Sequence, residues 1–148
     1  MGKLNSVKIG LAVPPIQISR WANILENEEL SVSSGARPIQ MCNSDGTGEP
    51  LVKIDKFGAD VIRFAPGKGV MNHTHEGAHI LFAIKGTGFV EYDGIDYALE
   101  PGVCYLVPSM VDHAIKATTE LILIAVGNDH RALDSIERME PVYHNKEI

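Results

Sequence analysis

The chain has 148 residues, with 13 basic and 19 acidic side chains for a net charge of −6, and is 45% hydrophobic and 22% charged. That is the length of one domain with one core. The acidic balance excludes a broad cationic surface for nucleic-acid backbones or anionic lipid, and the composition excludes disorder for most of the chain.

Pro14-Pro15 blocks regular structure near the start, after which Ser19 is placed to cap a short helix over Arg20–Asn27. Residues 1–50 read as an arm that packs on the domain. Within it, the run Asn43–Pro50 has the polar, glycine-containing character of a solvated turn and lacks the Gly-Lys-Ser/Thr ending of a phosphate-binding loop.

From residue 50 onward, short runs rich in Val, Ile, Phe and Tyr are punctuated by Gly and Pro, the rhythm of an all-β sandwich or barrel. Strands are predicted at about 51–56, 59–65, 79–85, 88–92, 95–99, 103–107, 113–117 and 120–126. Asp93-Gly94 predicts a two-residue hairpin turn, and Gly86-Thr87-Gly88 a second turn. The apolar run Leu121–Val126 is a buried strand, far short of the roughly 20 residues of a membrane helix. Residues 128–148 form a polar tail, with one helical turn expected around Leu133–Arg138. Lys3 and Lys8 flank no long apolar run, so no secretory signal is supported and the cytoplasm is the expected compartment. Cys42 and Cys104 read as two free thiols.

Four of the six histidines carry a pattern. His73 and His75 lie two apart, so an extended segment sends both imidazoles from one face. His79 follows after Glu76-Gly77-Ala78, as a side chain returning on the next strand would. His113 comes 34 positions later, where a strand closing a small barrel can bring it across the lumen. Four imidazoles aimed at one point would bind one divalent transition metal such as Mn, Fe, Ni or Zn. His130 and His144 sit in the polar tail and are left out of this set.

The stretch Gly67-x5-His73-x-His75-x3-His79-x6-Gly86 resembles the first motif of the cupin superfamily, with His79 in place of the usual Glu. Gly102-x5-Pro108-x-Met110-x2-His113-x3-Ala117 resembles the second, with Met110 where Gly is preferred and Ala117 where Asn is preferred. The resemblance spans residues 59–127. It implies a double-stranded β-helix, the jelly-roll cupin barrel, at 51–127, with a metal in its mouth held by His73, His75, His79 and His113. Four neutral imidazoles leave the full charge on the metal, which favours Lewis-acid chemistry and places Glu-assisted oxidase mechanisms in doubt.

Around that centre, inward alternation from His79 predicts Leu81 and Ala83 in the lumen, and from His113 predicts Ile115 and Ala117. Arg63 could bind a substrate carboxylate or phosphate bidentately, or be an exposed or ion-paired edge residue. Glu76, inside the metal loop, could transfer a proton. Tyr105 and Met71 could line the mouth or simply pack. The function implied is a metal-dependent small-molecule enzyme, a dioxygenase or an isomerase or lyase acting on an oxygen-rich substrate such as a sugar or keto acid. A non-catalytic binding or sensing barrel is the alternative. Resemblance and arm length together imply a homodimer.

Overall fold

The computed structural model describes residues 45–128, together with Pro15 and the two-residue strands Arg37–Pro38 and Val142–Tyr143. The expected helix over Arg20–Asn27, the helical turn around Leu133–Arg138, Cys42, His130 and His144 lie outside the described residues.

All regular structure among the described residues is β. The strands are β1 (Arg37–Pro38), β2 (Thr47–Ile54), β3 (Phe57–Phe64), β4 (Gly69–Thr74), β5 (His79–Lys85), β6 (Gly88–Tyr92), β7 (Ile95–Leu99), β8 (Cys104–Val107), β9 (His113–Ala117), β10 (Leu121–Gly127) and β11 (Val142–Tyr143). They form two sheets, one in the order β1-β2-β3-β10-β5-β8 and the other β11-β4-β9-β6-β7. Every pairing is antiparallel. Strands β3 to β10 alternate between the sheets as 3-10-5-8 and 4-9-6-7, which is the jelly-roll arrangement. All eight strands expected from the apolar runs are present. The ninth long one, β4, was expected only as an extended segment carrying His73, because Gly69-Val70-Met71-Asn72 lacks a clean apolar alternation.

Period-two alternation builds the core. Ile62 and Phe64 of β3, Leu81 and Ala83 of β5, Val107 of β8 and Leu121, Leu123 and Ala125 of β10 meet Val70, Val90, Leu99, Ile115 and Ala117 of the facing sheet. The inward positions expected from His79 and His113 are therefore all in this cluster. Phe64, Leu99, Leu121 and Leu123 are fully buried, each contributing roughly 1.5–3 kcal/mol of transfer free energy. A second cluster, Val61 and Ile122 with Leu51, Ile84 and Ile124 against them, lies on the opposite face of the larger sheet.

The turns follow their residues. Asp93 and Gly94 both have positive φ, at 49° and 83°, as a two-residue primed turn requires. Gly86 closes β5 at φ +85°, and a Cβ there would lie 1.6 Å from the Glu120 carbonyl oxygen, so only glycine fits.

Candidate metal centre

His113 opens β9 and pairs directly with His73 of β4, while His79 opens β5 in the other sheet. The pairing of β4 with β9 slips between Val70 and His73: Val70 faces Ile115, yet His73 faces His113. Three residues on β4 thus span two on β9, a β-bulge. Simple alternation from the buried Val70 would turn His73 outward. The extra residue reverses that parity, so Asn72 and His73 are both buried.

The rings converge. Centroid separations are 4.2 Å for His73–His113, 5.2 Å for His73–His75 and 4.8 Å for His75–His113. Ligand-capable nitrogens of these three histidines all lie within 4.8 Å of one another. Each ring is also fixed from behind. His73 Nδ1 lies 2.7 Å from the Met71 carbonyl, His75 Nδ1 2.9 Å from that of Glu76, and His113 Nδ1 2.8 Å from that of Val111. A carbonyl oxygen only accepts, so each Nδ1 carries a proton, and in the neutral ring the Nε2 lone pair is then the one left for a metal. Burial pushes the His113 imidazole down to about 4, with the nearby His75 adding to the effect and the Val111 carbonyl and Asp112 opposing it. A neutral ring is the form a metal needs.

His79 stands differently. Its Nε2 is 3.0 Å from Nε2 of His75, but its ring centroid is 6.3 Å from that of His113. The structure therefore brings three of the four expected histidines into one cluster and leaves the fourth at its edge, reached through His75. The reason is topological: His79 enters from the facing sheet, whereas the other three sit on β4, on the residue just past its end, and on β9. The His75–His79 distance still suits shared ligation, because two nitrogens about 2.1 Å from one ion and at right angles stand about 3.0 Å apart.

Two polar residues that sequence reasoning passed over brace the centre. Asn72 Nδ2 donates to Asp112 Oδ2 at 2.5 Å, tying β4 to the approach of β9 one position before each of His73 and His113. The only signal in the sequence was that each of those histidines follows a short polar side chain. Met110 is the third brace. Its N–H donates to the His75 carbonyl at 2.9 Å, and it adopts φ 65°, the left-handed conformation that explains a preference for Gly at this place in the motif.

The other candidates are placed elsewhere. Glu76 is exposed on the loop between β4 and β5, and its carbonyl, through His75, touches the centre. Arg63 is not brought to the histidines: it lies opposite Ile122, five residues along β10 from Gly127, which pairs with His79. Five residues of strand are about 17 Å. The Arg63 guanidinium instead donates to Glu120, which also pairs with Lys85 at 3.3 Å. Tyr105 faces into the barrel and packs on the main core. Met71 lines a surface groove of about 350 Å³ on the outer face of β4 and β9, with Phe89, Glu91 and Lys116. Cys104 is free and exposed.

Residues 60–127 match the family model described as Cupin domain. A dimethylsulfoniopropionate lyase, DddW of Ruegeria pomeroyi, is 26% identical over 77 residues, which are 52% of this chain and 51% of that protein. The chain thus spans about half the length of this curated relative. Among solved structures, the polyketide cyclase RemF of Streptomyces resistomycificus is similar with a TM-score of 0.64 and 14% identity, covering 82% of this chain and 87% of that one. An RmlC-like cupin of Shewanella frigidimarina is similar with a TM-score of 0.59 and 24% identity, covering 71% and 94%. The family match and the shared fold support the cupin superfamily for this barrel.

Proposed function

We propose that this cupin barrel is a metal-dependent enzyme acting on a small, oxygen-rich molecule, with one divalent transition metal held by His73, His75 and His113 and joined by His79. The observation that carries the reading is the set of three rings whose Nδ1 atoms face backbone carbonyls and whose ligand-capable nitrogens all lie within 4.8 Å of one another. Core positions become histidine at a cost in burial, and here the rings are oriented for ligation instead of for packing.

When bound, such a metal supplies Lewis-acid polarisation of a substrate oxygen. The chain's own residues supply the rest. The apolar lumen of Leu81, Ala83, Ile115 and Ala125 excludes water around the substrate. The Asn72–Asp112 bond and the Met110–His75 bond hold the ligands in place while a substrate exchanges. Glu76, exposed at the mouth beside His75, carries a proton between solvent and substrate. Among the reaction classes, isomerase or lyase chemistry has the added support of the lyase relative, and an all-imidazole ligand set suits it because neutral ligands leave the full charge on the metal to acidify the substrate, with the proton taken up by Glu76.

The test is elemental analysis of protein purified without added metal, with His113→Ala and His79→Ala alongside. About one equivalent of a divalent transition metal is expected in the wild type. The His113→Ala variant should lose affinity by more than the 10–100-fold typical of a supporting residue, and His79→Ala by less than His113→Ala. Failure of the wild type to take up any offered divalent ion would end the metalloenzyme reading and leave the barrel as a binding module.

A further inference from the structure

Tyr105 of β8 pairs with Leu81 of β5, one inward-facing step from the pair formed by Val107 and His79. Its strand neighbours Cys104 and Leu106 are exposed, while its own ring turns inward onto the core cluster that contains Leu81, Val107 and Ala125. The hydroxyl is buried and has no hydrogen-bond partner among the described residues. A hydroxyl left this way costs about 1–3 kcal/mol, which phenylalanine at the same position would avoid. Burial also raises the phenol well above its ordinary range, so the group remains an O–H donor.

An unused donor in the apolar wall next to the histidine layer is therefore an expense the fold alone does not explain. Ala125 and Leu81, the inward residues beside it in the same row, offer no acceptor from their side chains. We propose that the Tyr105 hydroxyl is a substrate-binding group, donating a hydrogen bond to an oxygen of a small carboxylate or carbonyl compound seated between the barrel wall and the histidines. The proposal rests on the metal-centre reading above and adds to it the contact that orients the end of the substrate remote from the metal. Orientation by one such donor suits a compound with oxygens at both ends and discriminates against one with an apolar end, whose binding would leave the hydroxyl still unpaired.

The experiment compares wild type with Tyr105→Phe in three measurements. These are cobalt(II) uptake, thermal unfolding of the metal-free proteins, and calorimetric titration of the cobalt-loaded proteins with oxalate. Oxalate is the probe because two of its oxygens can face the metal while two remain to accept from Tyr105. The expected result is equal cobalt uptake, a metal-free Tm for the variant equal to or above that of wild type, and an oxalate dissociation constant about five- to tenfold higher in the variant, the value of one hydrogen bond. Equal oxalate affinity in the two proteins overturns the proposal. So does a lowered Tm or a failure of the variant to fold, either of which would give the hydroxyl a partner within the fold, and so does a cobalt-loaded wild type that ignores oxalate. No cobalt uptake by wild type would instead bring down the metal-centre reading, and this proposal with it.

Discussion

At one end of the barrel Glu120 accepts from Arg63 and Lys85, the Thr87 hydroxyl lies within hydrogen-bond distance of those of Thr118 and Thr119, and the Thr87 N–H donates to Thr119 Oγ1 at 2.8 Å. At the other end the ligand-capable nitrogens of three imidazoles lie within 4.8 Å of one another, Met110 is held in a left-handed conformation, and a bulge interrupts the ladder. The same two sheets form both ends. One end closes its polar groups on one another, which serves cohesion. The other, the open end, gathers metal-ligating groups beside a strained local conformation, which serves a ligand. The difference explains why a charged residue such as Arg63, though sited on a covered strand, belongs to the architecture, while imidazole rings form the candidate site.

If the closed end holds the barrel together, its tightest turn should be the most sensitive position. Gly86→Ala would force a Cβ onto the Glu120 carbonyl at a positive φ, and urea unfolding is expected to show a loss of about 3 kcal/mol or more. A loss below 1 kcal/mol would break the contrast, because it would mean that the turn yields freely.

The ion pair at that end responds to pH. Burial raises the Glu120 carboxyl, but the hydrogen bonds from Arg63 and Lys85 outweigh it and hold the group below its ordinary 4.5. A depressed carboxylate contributes stability above its unfolded value, and that contribution disappears as pH falls through the lower folded value. Glu120→Gln is therefore expected to cost about 1 kcal/mol at pH 7, a magnitude suited to a partly exposed pair. The deficit should shrink as the pH is taken below 4.5. Chemical unfolding of both proteins at several pH values checks this, and a deficit independent of pH would assign the effect to packing.

The smallest effect is expected at the open end. Met110 is 55% exposed, so its side chain has little burial to lose, and Met110→Gly relieves a left-handed strain of about 1–2 kcal/mol while adding unfolded-state entropy worth about 0.5–1. A net gain of about 0.5 kcal/mol in thermal or urea unfolding is expected. A net loss would show that the Met110 side chain braces His75 as well as its N–H does.

Much of this was legible before any fold was in view. Short apolar runs between turn residues marked β3, β5 and β10, Asp93-Gly94 marked its hairpin, and the spacing of Gly67, His73, His75, His79 and Gly86 marked the histidine loop. Those signals are local: strand alternation has a period of two, and a turn depends on the φ its residues tolerate. Asn72, Asp112 and the Tyr105 hydroxyl, which has no partner among the described residues, were not legible, because each matters only through what lies across the ladder from it.

That this chain makes a β-barrel and gathers histidines near its mouth is written along the chain, in its period, turns and motif spacing. The meeting of three rings with His79 at the margin, the pairing of Arg63 with Glu120 and the inward face of His73 arise only in the folded chain. The physical reason is cross-strand register: one inserted residue reverses every side chain that follows it, and that slip between strands about 40 residues apart leaves no trace in either segment alone.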